Sequence, residues 1–263
     1  MRTLPIALTL AGSDSGGGAG VQADLKTFAA LGVHGTCAIT CLTAQNPKGV
    51  AAIQAATPAL VRAQIEAVFA ELRPAAVKTG MLFNTAIIRE VAGFFHTLRG
   101  PKPPLIVDPV MVATSGARLL KPAALRALQS ELLPLATLVT PNLDEAEILV
   151  GAKLRSPDDL RAAARAIHAR FGCTALVKGG HLRGQRDAVD VFFDGKQELL
   201  LTAPFVRGVA THGTGCTYSA AIAAHCARGH DLAKSVRFAK KFITRAIADS
   251  YRIGPHSALN PFA

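Results

Sequence analysis

Short apolar runs alternate with longer amphipathic stretches along almost the whole chain, and this alternation restricts the possible folds more than any other feature. Six short runs are apolar and bounded by Gly, Pro or Asp: Ile6–Leu10, Thr36–Leu42, Ala75–Lys78, Leu105–Val107, Thr137–Val139 and Ala175–Val177. Near-continuous apolar runs of this length are typical of strands in a parallel sheet that is covered on both faces.

The stretches between these runs carry apolar residues at helical spacing. In 58–72, for example, apolar side chains fall at relative positions 0, 4, 7, 8 and 11 after Val61, and Thr57 followed by Pro58 is typical of a helix start. Helices are predicted at Val21–Leu31, Pro58–Leu72, Thr85–Leu98, Pro122–Leu133, Leu143–Val150, Pro157–Phe171, Cys216–Arg228 and Leu232–Ile247. Such alternation predicts a three-layer α/β/α fold with right-handed crossovers.

One segment departs from the alternation. Ala188–Phe193 and Glu198–Thr202 flank Asp194-Gly195, which predicts a β-hairpin. No internal repeat, linker or low-complexity tract interrupts the sequence, so residues 1–263 are predicted to form a single domain.

The charge balance leaves several classes of partner open. The chain has 29 basic and 18 acidic residues, a net charge of +11, which would suit nucleic acid, an anionic surface or phosphorylated small molecules. There is no long Lys/Arg run, and aromatic residues make up only 5%. A solvated basic surface is therefore the main interpretation, with a nucleic-acid-binding module as a distant alternative.

Cysteine usage and hydropathy bear on the compartment. Five cysteines, an odd number without a CxxC pair, argue against a disulfide framework or a structural zinc site and favour a reducing cytoplasm. No apolar run is long enough for a membrane span, and the first residues do not form a signal peptide.

Open sheets of this kind bind ligands beyond the carboxyl ends of their strands. The loops expected there are 11–20, 43–49, 78–81, 108–116, 140–145 and 178–181. The first, AGSDSGGGAG, has four glycines within residues 16–20, so its backbone can approach a ligand closely. It lacks GKS/GKT and a phased GxGxxG, so it is either a different kind of substrate loop or a flexible connection.

The segment Thr211-His212-Gly213-Thr214-Gly215-Cys216 precedes a long apolar helix. A Gly-x-Gly turn at a helix start directs free amides and the positive end of the helix at one point, which predicts an anion hole suited to phosphoryl transfer. The same field favours the thiolate of Cys216. A tight turn that packs helix against sheet is the alternative.

Polar residues follow several strands. Asn142 and Glu145 stand three apart on a helix face, where they could hold hydrated Mg²⁺ or form an ordinary helix cap. Lys178 could reach a γ-phosphate, and Gln45 could give paired hydrogen bonds to a heteroaromatic edge. Asp108 and Lys78 also stand at strand ends. Each of these could instead be a simple loop residue.

Seven motifs occur together in a fixed order. They are Gly12–Thr27 (GSDSGGGAGVQADLKT), Leu42–Asn46 (LTAQN), Lys78–Leu82 (KTGML), Asp108–Gly116 (DPVMVATSG), Thr140–Glu147 (TPNLDEAE), Lys178–His181 (KGGH) and Thr211–Cys216 (THGTGC). In this order and spacing the chain resembles the hydroxymethylpyrimidine/phosphomethylpyrimidine kinases of the ribokinase superfamily, over about residues 4–250.

The resemblance implies a ribokinase-like fold, a central mostly parallel sheet flanked by helices, usually in a homodimer. It implies phosphorylation of 4-amino-5-hydroxymethyl-2-methylpyrimidine and then of its monophosphate, with ATP and Mg²⁺, in thiamine biosynthesis. The partners would be these small molecules, with no nucleic acid and no membrane.

The resemblance also implies roles for matching residues. Gln45 would read the pyrimidine edge, in a pocket lined by Gly12, Asp24 and Met81. Asn142 and Glu145 would form the Asn-x-x-Glu magnesium and phosphate motif. Lys178 and Thr211 would bind the phosphates, and Asp108 would lie near the metal. Gly213, Thr214, Gly215 and Cys216 would form the catalytic element, with Cys216 activating the substrate hydroxyl where most relatives carry Asp.

Two further functions fit the same motifs. A pyridoxine or pyridoxal kinase acts on a similar hydroxymethyl-bearing ring, although Gln45 favours an aminopyrimidine because its amide offers both a donor and an acceptor. A catalytically inactive ligand sensor is disfavoured by the intact Gly213–Cys216 and Asn142/Glu145 elements.

Overall fold

The computed structural model describes residues 3–112, 120–180, 182, 184, 186–206 and 212–263. Within these ranges nine strands form one mixed sheet in the order β3-β2-β1-β4-β5-β6-β7-β8-β9. The strands are β1 Ile6–Asp14, β2 His34–Asn46, β3 Gly49–Ala55, β4 Ala76–Thr79, β5 Leu105–Val107, β6 Leu138–Val139, β7 Thr174–Lys178, β8 Asp187–Phe193 and β9 Glu198–Pro204. The six neighbouring strands β2-β1-β4-β5-β6-β7 run parallel to one another, whereas β3, β8 and β9 each pair antiparallel with their neighbours.

Helices cover both faces of the sheet. They are α1 Gly20–Ala30, α2 Pro58–Glu71, α3 Thr85–Thr97, α4 Pro122–Ala127, α5 Leu143–Val150, α6 Pro157–Phe171, α7 Thr214–Ala227 and α8 Leu232–Ala248. The Thr57 side chain accepts a hydrogen bond from Leu60 N–H at 3.2 Å, and Pro58 takes the first helical position, as predicted. The three-layer α/β/α prediction is confirmed.

The short strand β5 shows how each strand serves two cores. Leu105 and Val107 belong to the apolar cluster that packs with α2 to α6, whereas Ile106 belongs to the cluster formed with α1, α7 and α8. Successive strand residues point to opposite faces, so a strand covered on both faces must be apolar throughout. This explains the continuous apolar runs in the sequence.

Helix α7 is buried on nearly all sides, from Thr217 to Ala227. Its abundant alanines let it pack closely on β1, β4 and β5 and between α1 and α8. A helix enclosed in this way needs no amphipathic stripe. Its first turn therefore lies directly at the carboxyl edge of the parallel strands.

The sheet is longer at one side than the sequence predicts. Residues 11–14 continue β1, and residues 43–46 continue β2, where loops were expected. Strand β3 was not predicted: its residues are mostly small and exposed and show no apolar alternation, yet they pair antiparallel with the distal half of β2. Gln45 therefore lies on a strand, which fixes its backbone.

Two other elements differ from prediction. The helix predicted to Leu133 ends at Ala127 and continues as a π-helical turn, Leu128–Leu132, because Pro134 just beyond cannot donate the next helical hydrogen bond. A small hairpin, β10 Tyr251–Ile253 with β11 His256–Ala258, was missed. The predicted β8–β9 hairpin is confirmed. Among the described helices, none is both long enough and apolar enough to cross a membrane.

Candidate active site

The polar residues at the carboxyl ends of the parallel strands come together at one edge of the sheet. Asp14 ends β1, Lys178 ends β7, and Asp108 and Asn142 follow β5 and β6. The first turns of α1, α5 and α7 begin at the same edge. Parallel strands place their carboxyl ends together, so these predicted residues lie at one edge of the sheet.

The Gly-rich segment is folded around the carboxylate of Asp14. Its Oδ1 accepts from Gly16 N–H at 2.8 Å, and its Oδ2 accepts from Gly18 N–H at 3.1 Å and Ala19 N–H at 2.8 Å. Although burial opposes ionisation, hydrogen bonds from His212 and these amides lower the pKa of Asp14 below its ordinary value. The segment is therefore an ordered loop, and Asp14, which the sequence analysis did not single out, holds its amides at the candidate site.

Gln45 connects this loop to the residues before α7. Thr43 Oγ1 donates to Gln45 Oε1 at 3.1 Å, and Gln45 Nε2 lies 3.4 Å from His212 Nε2. His212 Nε2 is in turn 3.3 Å from Asp14 Oδ2. The main chain of Gln45 is held by the Ser15 hydroxyl, which accepts from Gln45 N–H at 2.8 Å. The substrate-reading candidate and the candidate anion hole therefore share one cluster.

Gly12 and Met81 also lie side by side. A Cβ built on Gly12 would stand 3.0 Å from Met81 Cε and 2.8 Å from Cys41 Sγ, so a larger residue at 12 would push Met81 aside. Met81 is partly exposed, and its carbonyl accepts from the Thr40 hydroxyl at 2.6 Å. The two predicted pocket residues are thus neighbours, at a bulge in β1.

Asp24 does not line an open pocket in this structure. Its side chain and that of Lys78 are 0% exposed, with Lys78 Nζ 3.0 Å and 2.8 Å from the two carboxylate oxygens. Thr9 Oγ1 donates to the same carboxylate at 2.6 Å. Although burial opposes its charge, the Asp24 carboxylate raises the pKa of Lys78, so the two form an ion pair. The contact of Asp24 with substrate stays a prediction, and in this structure its carboxylate is bound by Lys78 and Thr9.

The start of α7 has the geometry of an anion hole. Gly213 adopts a left-handed conformation with φ of 82°, and a Cβ there would collide with the carbonyl of Gly18. The first helical bond runs from Thr217 N–H to Gly213 O at 2.9 Å, so the amides of 214–216 have no partner one turn earlier in the helix. Among the described residues, the buried Thr214 Oγ1 also has no hydrogen-bond partner.

The field at the start of α7 was expected to favour the thiolate of Cys216, but the thiol form predominates. Burial raises the pKa of its thiol to about 11. The charge of Lys78 and a hydrogen bond from Gly20 N–H act in the opposite direction, while Asp24 and Asp108 add to the rise. Desolvation therefore outweighs the field of the helix start. Cys216 remains partly exposed.

Asn142 and Glu145 form the helix cap that was the alternative interpretation. Asn142 Oδ1 accepts from Glu145 N–H at 2.9 Å, and Glu145 Oε2 accepts from Asn142 N–H at 2.9 Å. Met111 N–H donates to Glu145 Oε1 at 3.0 Å. Burial and the nearby charge of Asp108 raise the pKa of Glu145 to about 7. Capping leaves the Asn142 amide NH₂ and further carboxylate lone pairs for other partners.

Asp108 and Lys178 meet beside the first turn of α7. Lys178 Nζ lies 3.3 Å from Asp108 Oδ1, and Ser219 Oγ donates to Asp108 Oδ2 at 3.3 Å. A Cβ on Gly215 would stand 3.3 Å from Lys178 Nζ. Although burial opposes it, Asp108 and Glu145 raise the pKa of Lys178, which therefore stays cationic.

The acidic residues suit a hydrated magnesium ion. No group of three or more His, Cys, Asp or Glu that could hold a metal occurs in the part of the chain that the structure describes. Mg²⁺ commonly uses only one or two carboxylates together with water and substrate phosphates. Asp108 and Glu145 fit that demand, because burial and the nearby charge of Asp108 raise the pKa of Glu145, and a cation bound beside the two carboxylates would offset both effects. The predicted phosphate contact Thr211 lies outside the described residues.

Comparison with known proteins gives consistent matches. The profile of the phosphomethylpyrimidine kinase family matches residues 14–260. The chain is 49% identical over 251 residues to the hydroxymethylpyrimidine/phosphomethylpyrimidine kinase of Synechococcus elongatus, covering 95% of this chain and 94% of that protein. The crystal structure of a phosphomethylpyrimidine kinase from Clostridium difficile superposes with a TM-score of 0.82 at 41% identity, covering 93% of this chain and 100% of that one.

A second kind of kinase is also similar. The structure of the pyridoxal kinase from Staphylococcus aureus in complex with AMP-PCP and pyridoxal superposes with a TM-score of 0.89 at 33% identity, covering 100% of this chain and 95% of that one. The similarity therefore extends over the whole sheet and the helices on both of its faces.

Proposed function

This chain belongs to the phosphomethylpyrimidine kinase family, and we propose from that membership and from the site that it phosphorylates 4-amino-5-hydroxymethyl-2-methylpyrimidine with ATP. It then phosphorylates the monophosphate to the diphosphate, in the biosynthesis of thiamine diphosphate. The observation that carries this proposal is the contact between Gln45 and His212, 3.4 Å between their nitrogens. His212 is four residues before Cys216, so this contact brings an amide that can read a pyrimidine next to the start of α7.

Gln45 recognises the pyrimidine through both ends of its amide. Its Oε1 accepts from the 4-amino group, and its Nε2 donates to the adjacent ring nitrogen. Thr43 Oγ1 donates to the amide oxygen at 3.1 Å, and His212 Nε2 lies beside the amide nitrogen at 3.4 Å. Gly12 and Met81, which lie in contact range of each other, form the wall along the ring face.

The phosphates of ATP are bound at the opposite side of the cluster. The amides of Thr214, Gly215 and Cys216 surround the transferring phosphoryl group, where its negative charge is stabilised without reorganisation. Lys178 provides a positive charge beside these amides, with its Nζ 3.3 Å from Asp108 Oδ1. Asn142 donates its NH₂ group to the nucleotide phosphates, and Thr211 serves the same end.

Asp108 and Glu145 would hold the magnesium ion, largely through water. The ion neutralises phosphate charge when it is bound. Asp108 keeps its orientation through Lys178 and the Ser219 hydroxyl, and Glu145 through the amides of Asn142 and Met111. These contacts hold both carboxylates in place before any ligand enters.

In the transfer step, the hydroxymethyl oxygen forms a bond to the γ-phosphorus as the bond from phosphorus to the β,γ-bridging oxygen breaks. ADP leaves with the electron pair of that bond, and the hydroxyl proton passes to Cys216 in its thiolate form. Since the pKa of the thiol is about 11, this form is a minority species at neutral pH. A loose transition state tolerates this, because the hydroxyl is not required to lose its proton early.

Phosphorylation of pyridoxal is the second candidate activity. The similarity to a pyridoxal kinase bound to AMP-PCP and pyridoxal favours it, since both substrates carry a hydroxymethyl group on a heteroaromatic ring. A pyridoxal ring has no 4-amino group for Gln45 Oε1, so the two substrates should differ in kcat/KM.

A homodimer in the cytoplasm is proposed with this activity. Strand β3 is a sheet edge whose residues are almost all exposed, and Val50 and Ile53 on it, with Leu42 on β2, present apolar side chains to solvent. A second copy would cover them. All five cysteines are free thiols, which suits a reducing compartment.

The test is ADP release with three acceptors side by side: the hydroxymethylpyrimidine, its monophosphate and pyridoxal. We expect turnover with both pyrimidines and a lower kcat/KM with pyridoxal. Turnover with pyridoxal alone would assign the second activity, and release of ADP with none of them would contradict the proposed kinase.

A further inference from the structure

Helix α8 carries a lysine on its buried face. Lys240 lies on the same side of the helix as the buried residues Val236, Ala239 and Ile243, which are apolar. The remaining basic residues of the helix are exposed: Lys234, Arg237, Lys241 and Arg245. Lysine is seldom buried without a partner that holds its charge, so this one position needs an explanation.

The partner of Lys240 is a buried carboxylate on β8. Lys240 Nζ lies 2.7 Å from Asp190 Oδ2 and donates to the Ala188 carbonyl at 3.2 Å, and the Lys240 and Asp190 side chains are 10% and 4% exposed. Burial and then the charge of Asp190 raise the pKa of Tyr218 on α7 well above its ordinary value, so this neighbour stays neutral. Among the described residues, Lys240 is therefore the cation that balances Asp190.

Asp190 stands directly opposite the phosphate-site lysine. Lys178 on β7 and Asp190 on β8 are partners in the antiparallel ladder, two residues along from the pair of Leu176 and Phe192. Those two apolar residues belong to the cluster formed with α1, α7 and α8, so Lys178 and Asp190 face the same side of the sheet. Asp190 Oδ1 also accepts from Gly179 N–H at 3.1 Å, so the carboxylate contacts the peptide that follows Lys178.

The Lys178 side chain nevertheless turns away from this neighbour. Opposite charges directly across an antiparallel pair attract, because their Cβ atoms are only about 4.5–5.5 Å apart. Among the described acidic residues, Lys178 pairs with Asp108 at 3.3 Å and makes no ion pair with Asp190. A Cβ on Gly215 would stand 3.3 Å from Lys178 Nζ, so the ammonium is directed at the first turn of α7.

We propose that Lys240 is a positioning residue for Lys178: it neutralises Asp190 and so keeps the Lys178 ammonium directed at the phosphate site. This inference rests on the proposed function in taking Lys178 as a ligand of the nucleotide phosphates. The orientation of Lys178 itself is a property of the protein that can be observed without nucleotide.

The variants should differ in a way that identifies the competitor. Lys240→Met leaves Asp190 buried without its counter-charge, so Lys178 turns to Asp190 and is lost from the phosphate site. In Asp190→Asn/Lys240→Met the competing carboxylate is removed as well, and Lys178 stays beside Asp108. The asparagine keeps a side-chain oxygen that accepts from Gly179 N–H, so the end of β7 remains held.

The experiment is calorimetric titration of the folded proteins with AMP-PCP in the presence of Mg²⁺. Lys240→Met should weaken AMP-PCP binding by about 10- to 100-fold, as expected when a charge-assisted contact to phosphate is lost. Asp190→Asn/Lys240→Met should bind within about threefold of the unmodified protein, since its Lys178 contact is retained. A double-mutant cycle with Lys178→Met gives the second measurement: once Lys178 is absent, Lys240→Met should change the Kd by less than about twofold.

The control separates positioning from loss of stability. Ile243→Ala removes a buried apolar side chain one turn beyond Lys240 on the same helix, so it should lower the Tm without changing the affinity for AMP-PCP. Should Lys240→Met fail to fold, Lys240→Gln keeps a donor for Asp190 without the charge, and its affinity should shift in the same direction.

A crystal structure of Lys240→Met gives a readout that does not depend on nucleotide. Lys178 Nζ on Asp190 supports the proposal, and Lys178 Nζ still on Asp108 overturns it. The proposal is also overturned if Lys240→Met binds AMP-PCP as tightly as the unmodified protein, or if its loss persists in the Lys178→Met background. If the unmodified protein does not bind AMP-PCP, the proposed kinase is wrong, and the crystal structure alone decides the role of Lys240.

Discussion

Replacing Cys216 by Ser separates binding of the phosphoryl group from activation of the hydroxyl. The amides of 214–216 belong to the main chain, so they stay in place when the side chain changes. Ser is close in size to Cys, and Cys216 is only partly exposed, so packing is little disturbed. We therefore expect the KM values for ATP and pyrimidine to change little, while kcat falls.

The magnitude follows from the thiol. Loss of a general base typically lowers kcat by about 10²–10⁴-fold. The thiol has a pKa of about 11, so below that value the thiolate fraction rises about tenfold for each unit by which the pH increases. The ratio of kcat between the unmodified protein and Cys216→Ser should therefore be smallest near neutral pH and increase steadily on the alkaline side.

Steady-state ADP release over a pH series measures both quantities, with circular dichroism to verify that each variant is folded. A Cys226→Ser variant is a suitable control, because Cys226 is a buried thiol farther along the same helix. An unchanged kcat in Cys216→Ser, or a ratio that does not depend on pH, would remove Cys216 from the mechanism.

Three further predictions concern other parts of the structure. Gln45→Leu leaves the pyrimidine amino group without a partner. A lost polar contact costs roughly 1–3 kcal/mol, so kcat/KM for the pyrimidine should fall by about 5–160-fold in the same ADP assay, with a smaller loss for pyridoxal. Equal losses for the two substrates would contradict a pairing role. Gly213→Ala places a side chain at a left-handed backbone conformation, where its Cβ collides with the Gly18 carbonyl. The variant should lose at least about 1–2 kcal/mol of stability, which lowers the Tm, and it should not turn over. A fully active variant would refute the close approach of the two loops. Burial lowers the pKa of His225 from 6.5 to about 4, so the unfolded chain takes up the proton first, and the free energy of unfolding decreases by up to roughly 3 kcal/mol as pH falls from about 6.5 to about 4. His225→Gln should flatten the pH dependence of urea unfolding in that range. An unchanged pH dependence would exclude His225 as the cause.

The main layout of the fold could be predicted because apolar period and length decide it. Every predicted helix is found within a few residues, except that the segment 122–133 changes to a π-helical turn before Pro134. Strand β3 could not be predicted from local pattern, since its small exposed residues are ordered only by pairing with β2. Pairing between segments is a tertiary property that a window of sequence does not contain.

The site shows the same division. The location of Gln45, Lys178 and Asp108 at one edge followed from the strand ends, which any parallel sheet brings together. The ionisation state of Cys216 could not be predicted from the sequence, because the burial of the thiol depends on how α1, β4 and α7 pack around it. Asp14 was overlooked, although an Asp two residues before a run of glycines is a signal for a carboxylate that organises the loop amides.

The central claim is that one substrate spans the distance from Gln45 to the first turn of α7. A crystal structure with the hydroxymethylpyrimidine and a non-hydrolysable ATP analogue measures this directly. We predict the Gln45 amide on the amino and ring-nitrogen edge, with the terminal phosphate on the amides of 214–216 and the hydroxymethyl oxygen facing the phosphorus. A pyrimidine bound in a cavity apart from those amides, with no path for one molecule to reach both, would contradict the account.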